Sequence, residues 1–205
     1  MRKVKEIHWE NVYQTKDTTR VGWFQATPQV SMNLILEAKV SKDSPVIDVG
    51  GGDGFLVDRL LQEGFQDITI LDISNSALEK AKNRLGESAS KVNWVSCDIL
   101  EFETQAKFRL WHDRAVFHFL TDPVEQLTYR RLVENSVADS GYLLIMTFSK
   151  TGPTTCSGLP VQQYDITDLE RFFFKKFELI DSMNYDHITP SGSAQNYSVC
   201  LFRKR

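Results

Sequence analysis

The feature that most constrains this chain is the run Val46-Ile47-Asp48-Val49-Gly50-Gly51-Gly52-Asp53-Gly54. Residues 45–49 form a short apolar stretch, and residues 55–63 carry apolar side chains at Phe55, Leu56, Leu60 and Leu61, a helical spacing. The glycines therefore stand where a buried strand hands over to a helix. Lacking Cβ atoms, they let the backbone turn sharply and approach a ligand directly. The helix that follows offers its N-terminal amides to a polar group. A tight turn with no ligand is the plainer alternative.

Strand-like and helix-like segments alternate around this turn. The pattern predicts strands over 68–71, 92–97, 108–112 and 141–148, and helices from a cap at Ser74 or Asn75 to about 85 and over 124–137. Pro123 stands where a first helical turn tolerates proline. The stretch 141–148 is almost continuously apolar, as suits a sheet covered on both faces. Residues 149–160 read as a long loop and 168–174 as a short helix. Strands over 177–185 and 196–202 follow, joined by Thr189-Pro190-Ser191-Gly192-Ser193. The first forty residues read as helices around 6–15 and 29–40, linked by Gly22-Trp23-Phe24-Gln25. This order predicts an α/β sheet with helices on both faces and ligands beyond the carboxyl ends of its strands. At 205 residues the chain fits one domain: a helical lid segment (1–42), a core (43–148), and a loop, short helix and closing hairpin (149–205).

Composition narrows the partners. The net charge of −3 argues against a surface built for nucleic acid. No apolar run approaches the roughly 20 residues of a membrane span. The basic start Met1-Arg2-Lys3 leads into no apolar segment, so no secretory signal is expected. Cys97, Cys156 and Cys200 are odd in number and far apart, which argues against a disulfide framework. A cytoplasmic location is expected. With no CxxC or HxxxH spacing, no metal site is expected either.

The glycine spacing separates two cofactor classes. A dinucleotide fingerprint needs glycine at the sixth position counted from Gly50, which is Phe55 here. Asp48 precedes the glycines as an acid able to accept hydrogen bonds from an ammonium group. In these features the chain resembles the class I S-adenosylmethionine-dependent methyltransferases, in which Asp-x-Gly-x-Gly-x-Gly cradles the methionine part of the cofactor. The resemblance implies a Rossmann-like, seven-stranded, mostly parallel sheet with an antiparallel C-terminal strand pair. It also implies cofactor contacts from Asp48, Gly50, Gly51, Gly52 and Gly54. Asp72 with Ile73 would serve the ribose diol, and Asp98 with Ile99 the adenine. Trp111-His112-Asp113-Arg114-Ala115 would line the cofactor and the substrate mouth, Asp113 contributing a cofactor contact. The outer segments resemble a bacterial subgroup through His8-Trp9-Glu10-Asn11-Val12-Tyr13, Trp23-Phe24-Gln25, Cys156-Ser157-Gly158-Leu159-Pro160 and His187-Ile188-Thr189-Pro190. Gly22 stands where the subgroup usually has serine. Trp23 and Gln25 would form a lid over the cofactor; plain packing of the N-terminal helix is the alternative.

The sulfonium is an activated donor, so aligning the acceptor is the main task. Where the acceptor arrives protonated, His118 and His187 are the candidate catalytic bases. The bland alternatives are a packed core histidine and an exposed turn residue. Cys156 could equally be a small apolar filler. Asp113-Arg114-Ala115-Val116 replaces the Asn/Asp-Pro-Pro-Tyr/Phe of adenine amine methyltransferases, and the Pro-Cys of cytosine C5 enzymes is missing. Methylation of DNA or RNA bases is thus disfavoured. With so little sequence outside the core, a small-molecule acceptor is favoured over a protein lysine, with a non-catalytic adenosylmethionine-binding module and an oxidoreductase as rival classes.

Overall fold

The computed structural model describes residues 2–205; Met1, part of the N-terminal reading above, lies outside them. The elements follow as α1 (Arg2–Thr15), α2 (Gln29–Glu37), β1 (Val46–Val49), α3 (Leu56–Gln62), β2 (Ile68–Asp72), α4 (Asn75–Leu85), β3 (Val92–Ser96) and β4 (Phe108–Arg114). Then come α5 (Pro123–Ser136), β5 (Val137–Phe148), β6 (Thr155–Cys156), β7 (Leu159–Pro160), α6 (Ile166–Phe173), β8 (Phe177–Ile188) and β9 (Ala194–Lys204).

Seven strands form one sheet in the order β3-β2-β1-β4-β5-β9-β8. Strands β1 to β5 pair in parallel, and β9 runs antiparallel to both β5 and β8. The chain winds outward one way through β2 and β3, then the other way through β4 and β5. The order of winding thus reverses between the parallel strands β1 and β4, and a crevice opens beyond their carboxyl ends. The expected sheet and its closing strand pair are present.

Strand alternation sorts side chains between two apolar layers. On one face Val46, Ile68, Ile70, Leu110 and Met146 pack with Met32 and Ile35 of α2 and Leu56 and Leu60 of α3. On the other, Ile47, Val49, Trp111, Leu143 and Ile145 pack with Tyr129 and Val133 of α5 and Leu169 and Phe173 of α6. Local caps start the helices. Ser74 Oγ accepts from Ala77 N–H at α4, Asp122 caps α5 ahead of Pro123, and Asp165 with Asp168 forms a capping box on α6.

Several boundaries depart from the pattern, as where β8 runs on to Ile188 and β9 begins at Ala194. Strand β5 begins at Val137 rather than 141, with Ser140 at φ +57 and a register slip opposite Phe108 and Leu110. Helix α6 begins at Ile166 because its cap is Asp165. The 149–160 loop folds into the small β6–β7 hairpin. Among the described residues, no helix is long and apolar enough to cross a membrane.

Candidate active site

A cavity of about 410 Å³ lies beyond the carboxyl ends of β1, β2 and β4. The glycine turn forms part of its floor, and α1 with residues 18–25 forms its roof. Asp48, Gly50, Gly51, Gly54, Asp72, Ile73, Asp98, Ile99, Trp23 and Gln25 all border it.

The turn requires glycine at two positions. Gly50 has φ +68, and a Cβ there would sit 2.1 Å from Val116 Cγ2. Gly52 has φ +51, and a Cβ would meet the Tyr13 hydroxyl at 2.6 Å. Side chains are strained at such angles, and here they would also collide. Gly50 N–H and Gly51 N–H donate to Leu71 O at 2.7 and 3.2 Å, tying the turn to the end of β2. Gly52 itself does not border the cavity but lies beneath Tyr13.

Three carboxylates gather at this floor. Asp72 is 5% exposed and accepts from Ser74 N–H at 2.8 Å. Burial pushes its pKa up to about 7, with Asp48 and Asp53 adding repulsion and the Ser74 and Gly52 amides opposing. Asp48 accepts from His112 Nδ1 at 2.6 Å, and His112 Nε2 faces Ser31 Oγ at 2.9 Å. The third, Asp53, accepts from the Thr18 hydroxyl of the roof. Asp98 accepts from Leu100 N–H at 2.9 Å, turning the chain after β3 so that Ile99 borders the cavity.

The roof is fastened by polar bonds and ring contacts. Glu10 of α1 accepts from Ser74 Oγ at 2.7 Å, from Ser76 N–H at 3.2 Å and from the Ser76 hydroxyl. Burial opposes ionisation of Glu10, but the bonds from Ser76 and Ser74 hold its carboxyl below the usual range. Lys5 pairs with Glu125 at 3.1 Å. Trp9 meets Trp23 and Phe119 edge-on at centroid distances of 5.6 and 5.2 Å. Tyr13 is held protonated, its pKa raised by burial first and then by Asp72 and Asp53, so its hydroxyl can donate above the glycine turn.

Three expected site residues turn away from the cavity. Asp113 is wholly buried on the opposite face of β4, where it accepts from Val116 N–H, Phe117 N–H and the Tyr129 hydroxyl. Its carboxylate closes the turn after β4, which corrects the expected cofactor contact. His118 is also fully buried; its Nδ1 accepts from Phe148 N–H at 3.3 Å, and burial with the charge of Arg114 pushes its pKa down to about 3. His187 is 3% exposed and its Nε2 lies 2.9 Å from Gly22 O, bracing the Gly22–Gln25 loop from β8. Burial, then Arg114, lower its pKa. Neither histidine borders the cavity, so the expectation of a base at either position is corrected. Cys156 does border it, but burial pushes its thiol up to about 11, so it is a neutral wall group.

Of the expected Trp111–Ala115 segment, His112, Arg114 and Ala115 line the cavity; Ser31 and Tyr13, which the sequence did not single out as site residues, join them from the N-terminal helices. His112 and Arg114 share a face of β4 because strand side chains alternate, and the parallel register sets His112 directly beside Asp48. That register was the available signal for choosing His112 over Asp113. Among the described residues, no cluster of metal-ligating side chains is present.

The residues fit the cofactor that the glycine pattern implies. A buried carboxylate at the end of β2 suits a vicinal diol, and the Cβ-free Gly50 turn leaves the backbone open to a ligand. Three acids at the floor suit a ligand carrying a sulfonium and an ammonium.

Comparison with known proteins agrees with this geometry. Residues 46–135 match the family described as "Methyltransferase domain". The chain is 24% identical to the eEF1A lysine and N-terminal methyltransferase of Mus musculus over 67% of its own length and 19% of that protein. It is 29% identical to the malonyl-[acyl-carrier protein] O-methyltransferase of Anoxybacillus flavithermus over 57% of its length and 43% of that protein. The chain thus spans less than half of either relative. Among solved structures, N-methyltransferase NodS from Bradyrhizobium japonicum in complex with S-adenosyl-L-homocysteine superposes with a TM-score of 0.74 at 16% identity, covering 97% of this chain and 98% of that one.

Proposed function

Since residues 46–135 match a methyltransferase domain, we propose that the protein moves the methyl group of S-adenosylmethionine to a small-molecule acceptor by in-line displacement. Bound S-adenosylmethionine supplies a methyl carbon activated by its positively charged sulfur. The chain's residues do the rest. Asp72 accepts from the ribose hydroxyls, while Asp98 and the Ile99 amide receive the adenine beside Ile73. The Gly50–Gly54 turn and Asp48 hold the methionine end, and Trp23 and Gln25 cover it. His112 keeps Asp48 in place through the 2.6 Å bond, and Ser31 steadies the far side of the imidazole.

Rate enhancement then comes from alignment. Holding two reactants in line is worth on the order of 7–11 kcal/mol, enough without a strong base when the acceptor arrives with a free lone pair. The aromatic roof excludes water from the reacting centre.

The observation that carries the reading is Asp72, a buried carboxyl raised to about 7 beside Asp48 and Asp53 at the mouth of the glycine turn. A fold holds such a cluster at a cost in stability, and a cationic ligand with a diol offsets that cost. Calorimetry with S-adenosylmethionine and S-adenosylhomocysteine tests it: saturable binding is expected, and none at millimolar ligand would overturn it. A small acceptor is favoured by the fastened roof. A protein side chain is the second reading, favoured by the lysine methyltransferase named above. Transfer of a radiolabelled methyl group to a cell extract split by size separates the two.

A further inference from the structure

Four cationic side chains border the cavity, Lys5, Lys80, Arg84 and Arg114, and the cofactor assignment uses none of them. Arg114 ends β4, and its guanidinium carbon lies 5.1 Å from the ring centre of Tyr197 on β9. Nη1 donates to Trp23 O at 3.1 Å. Nε and Nη2 are buried and donate to no protein group. Among the described residues, no carboxylate forms an ion pair with Arg114. Of the cavity's other cations, Lys5 and Arg84 are paired with Glu125 and Asp58, and Lys80 on α4 is only half-buried, so Arg114 is set apart by its two buried, unpartnered nitrogens. The groups that feel its charge are His118, His187, Cys156 and Tyr197, none of them an anion at neutral pH. Tyr197 Oη, on the ring that Arg114 stacks against, is likewise buried without a partner.

A buried cation with two idle N–H groups is costly unless an anion completes it. Nε and Nη2 form the edge of a guanidinium that grips a carboxylate or phosphate with two parallel bonds. Position says which anion. The sheet runs β1-β4-β5-β9, so a side chain reaching from β4 to Tyr197 points away from β1, β2 and β3, where Asp48, Asp72 and Asp98 stand. Building on the methyl-transfer reading, we infer that Arg114 anchors an oxyanion of the acceptor, so that the substrate is a small carboxylic acid or phosphate ester. The cofactor's own carboxylate is the other possible source of that anion.

The test uses the full chain as wild type, Arg114→Gln and Arg114→Lys. Calorimetry first measures adenosylhomocysteine and its decarboxylated analogue. Arg114→Gln is expected to bind both within about threefold of wild type, which also shows that the variant is folded. A loss on the order of tenfold for adenosylhomocysteine but not for the analogue would assign Arg114 to the cofactor and overturn the proposal. Malonate and inorganic phosphate are then titrated onto adenosylhomocysteine-saturated protein while tryptophan fluorescence is followed, since Trp23 is tied to Arg114. Saturable binding is expected, weakened on the order of tenfold or more in Arg114→Gln and partly kept in Arg114→Lys. No saturable anion signal, or equal signals in wild type and Arg114→Gln, overturns the Arg114 assignment alone. Absence of adenosylhomocysteine binding to wild type removes the methyl-transfer reading and this inference with it.

Discussion

Replacing Asp72 by asparagine should separate what this carboxyl does for the ligand from what it does to the fold. In the folded protein its pKa lies at about 7 against an ordinary 3.8, mainly through burial. The gap is roughly three pH units, on the order of 4 kcal/mol at about 1.4 kcal/mol per unit. A raised carboxyl means that between pH 4 and 7 the folded chain keeps a proton the unfolded chain has released. Stability therefore falls as pH rises through that window and stays lowered above it. Asparagine removes the charge and keeps an oxygen for Ser74 N–H, but its NH₂ group lacks a built partner, which returns about 1–3 kcal/mol. The net gain at pH 8 is about 1–3 kcal/mol, a melting temperature higher by about 2–12 °C in a domain of this size. At pH 4.5, with the wild-type acid protonated, the advantage disappears or reverses. Cofactor affinity moves the other way. The diol needs the ionised form, so the wild-type dissociation constant for S-adenosylhomocysteine should rise toward tenfold per unit as pH drops below 7, and Asp72→Asn should bind weakly at every pH. Thermal melts at pH 4.5 and 8, with calorimetry across pH 5.5 to 8, read both effects. If Asp72→Asn melts lower than wild type by the same margin at both pH values, burial is not what raises this carboxyl and the reasoning fails.

Three further outcomes follow from other contacts. His112→Ala should cost about 3–5 kcal/mol in denaturant unfolding, because it strands Asp48 as an unpaired buried charge, and adding Asp48→Asn should recover part of the loss. Gly50→Ala should destabilise the turn by more than the roughly 1–2 kcal/mol of the left-handed conformation alone, since the Cβ also meets Val116; Val116→Ala in the same chain should relieve the clash and leave the backbone strain, read by comparing the melts. Glu10→Gln should lower stability by about 1 kcal/mol at pH 7 by weakening the strap to Ser74 and Ser76. Because the folded pKa of Glu10 is depressed, its contribution is present above about 4.5 and vanishes as pH falls through the lower folded value, so an acid titration should bring the two proteins together.

The parts of the site that could be read from the chain are those built by neighbours in sequence. Gly50 to Gly54 must turn wherever they are placed, Ser74 caps the helix three residues ahead of Ala77, and Asp72 at the end of β2 and Asp98 just after β3 each accept from the amide two residues on. Their geometry is local, so pattern was enough for the turn and the cap, while Asp72 and Asp98 were singled out by the family resemblance. The roof was harder. Glu10 reaches Ser76 across 66 residues, and nothing in either segment names the other.

The misassignment of Asp113 has one physical cause. A strand buried on one face declares its inward side by alternation, but β4 and β5 are buried on both, so their sequences carry no such signal. In Trp111-His112-Asp113-Arg114, every side chain is polar or amphipathic, and the aspartate looked like the natural ligand for a cationic cofactor. Pairing decides instead. Asp48 stands beside His112 in the parallel register, which sends His112 and Arg114 to the cavity face and leaves Asp113 to cap the turn below α5. The same parity puts Arg114 in the cavity wall. One residue of slip between β1 and β4 would exchange those faces, burying the guanidinium against Tyr129 and turning an acid toward the acceptor. The charge that greets the acceptor is thus set by strand register, a property of the folded sheet that no stretch of the chain contains by itself.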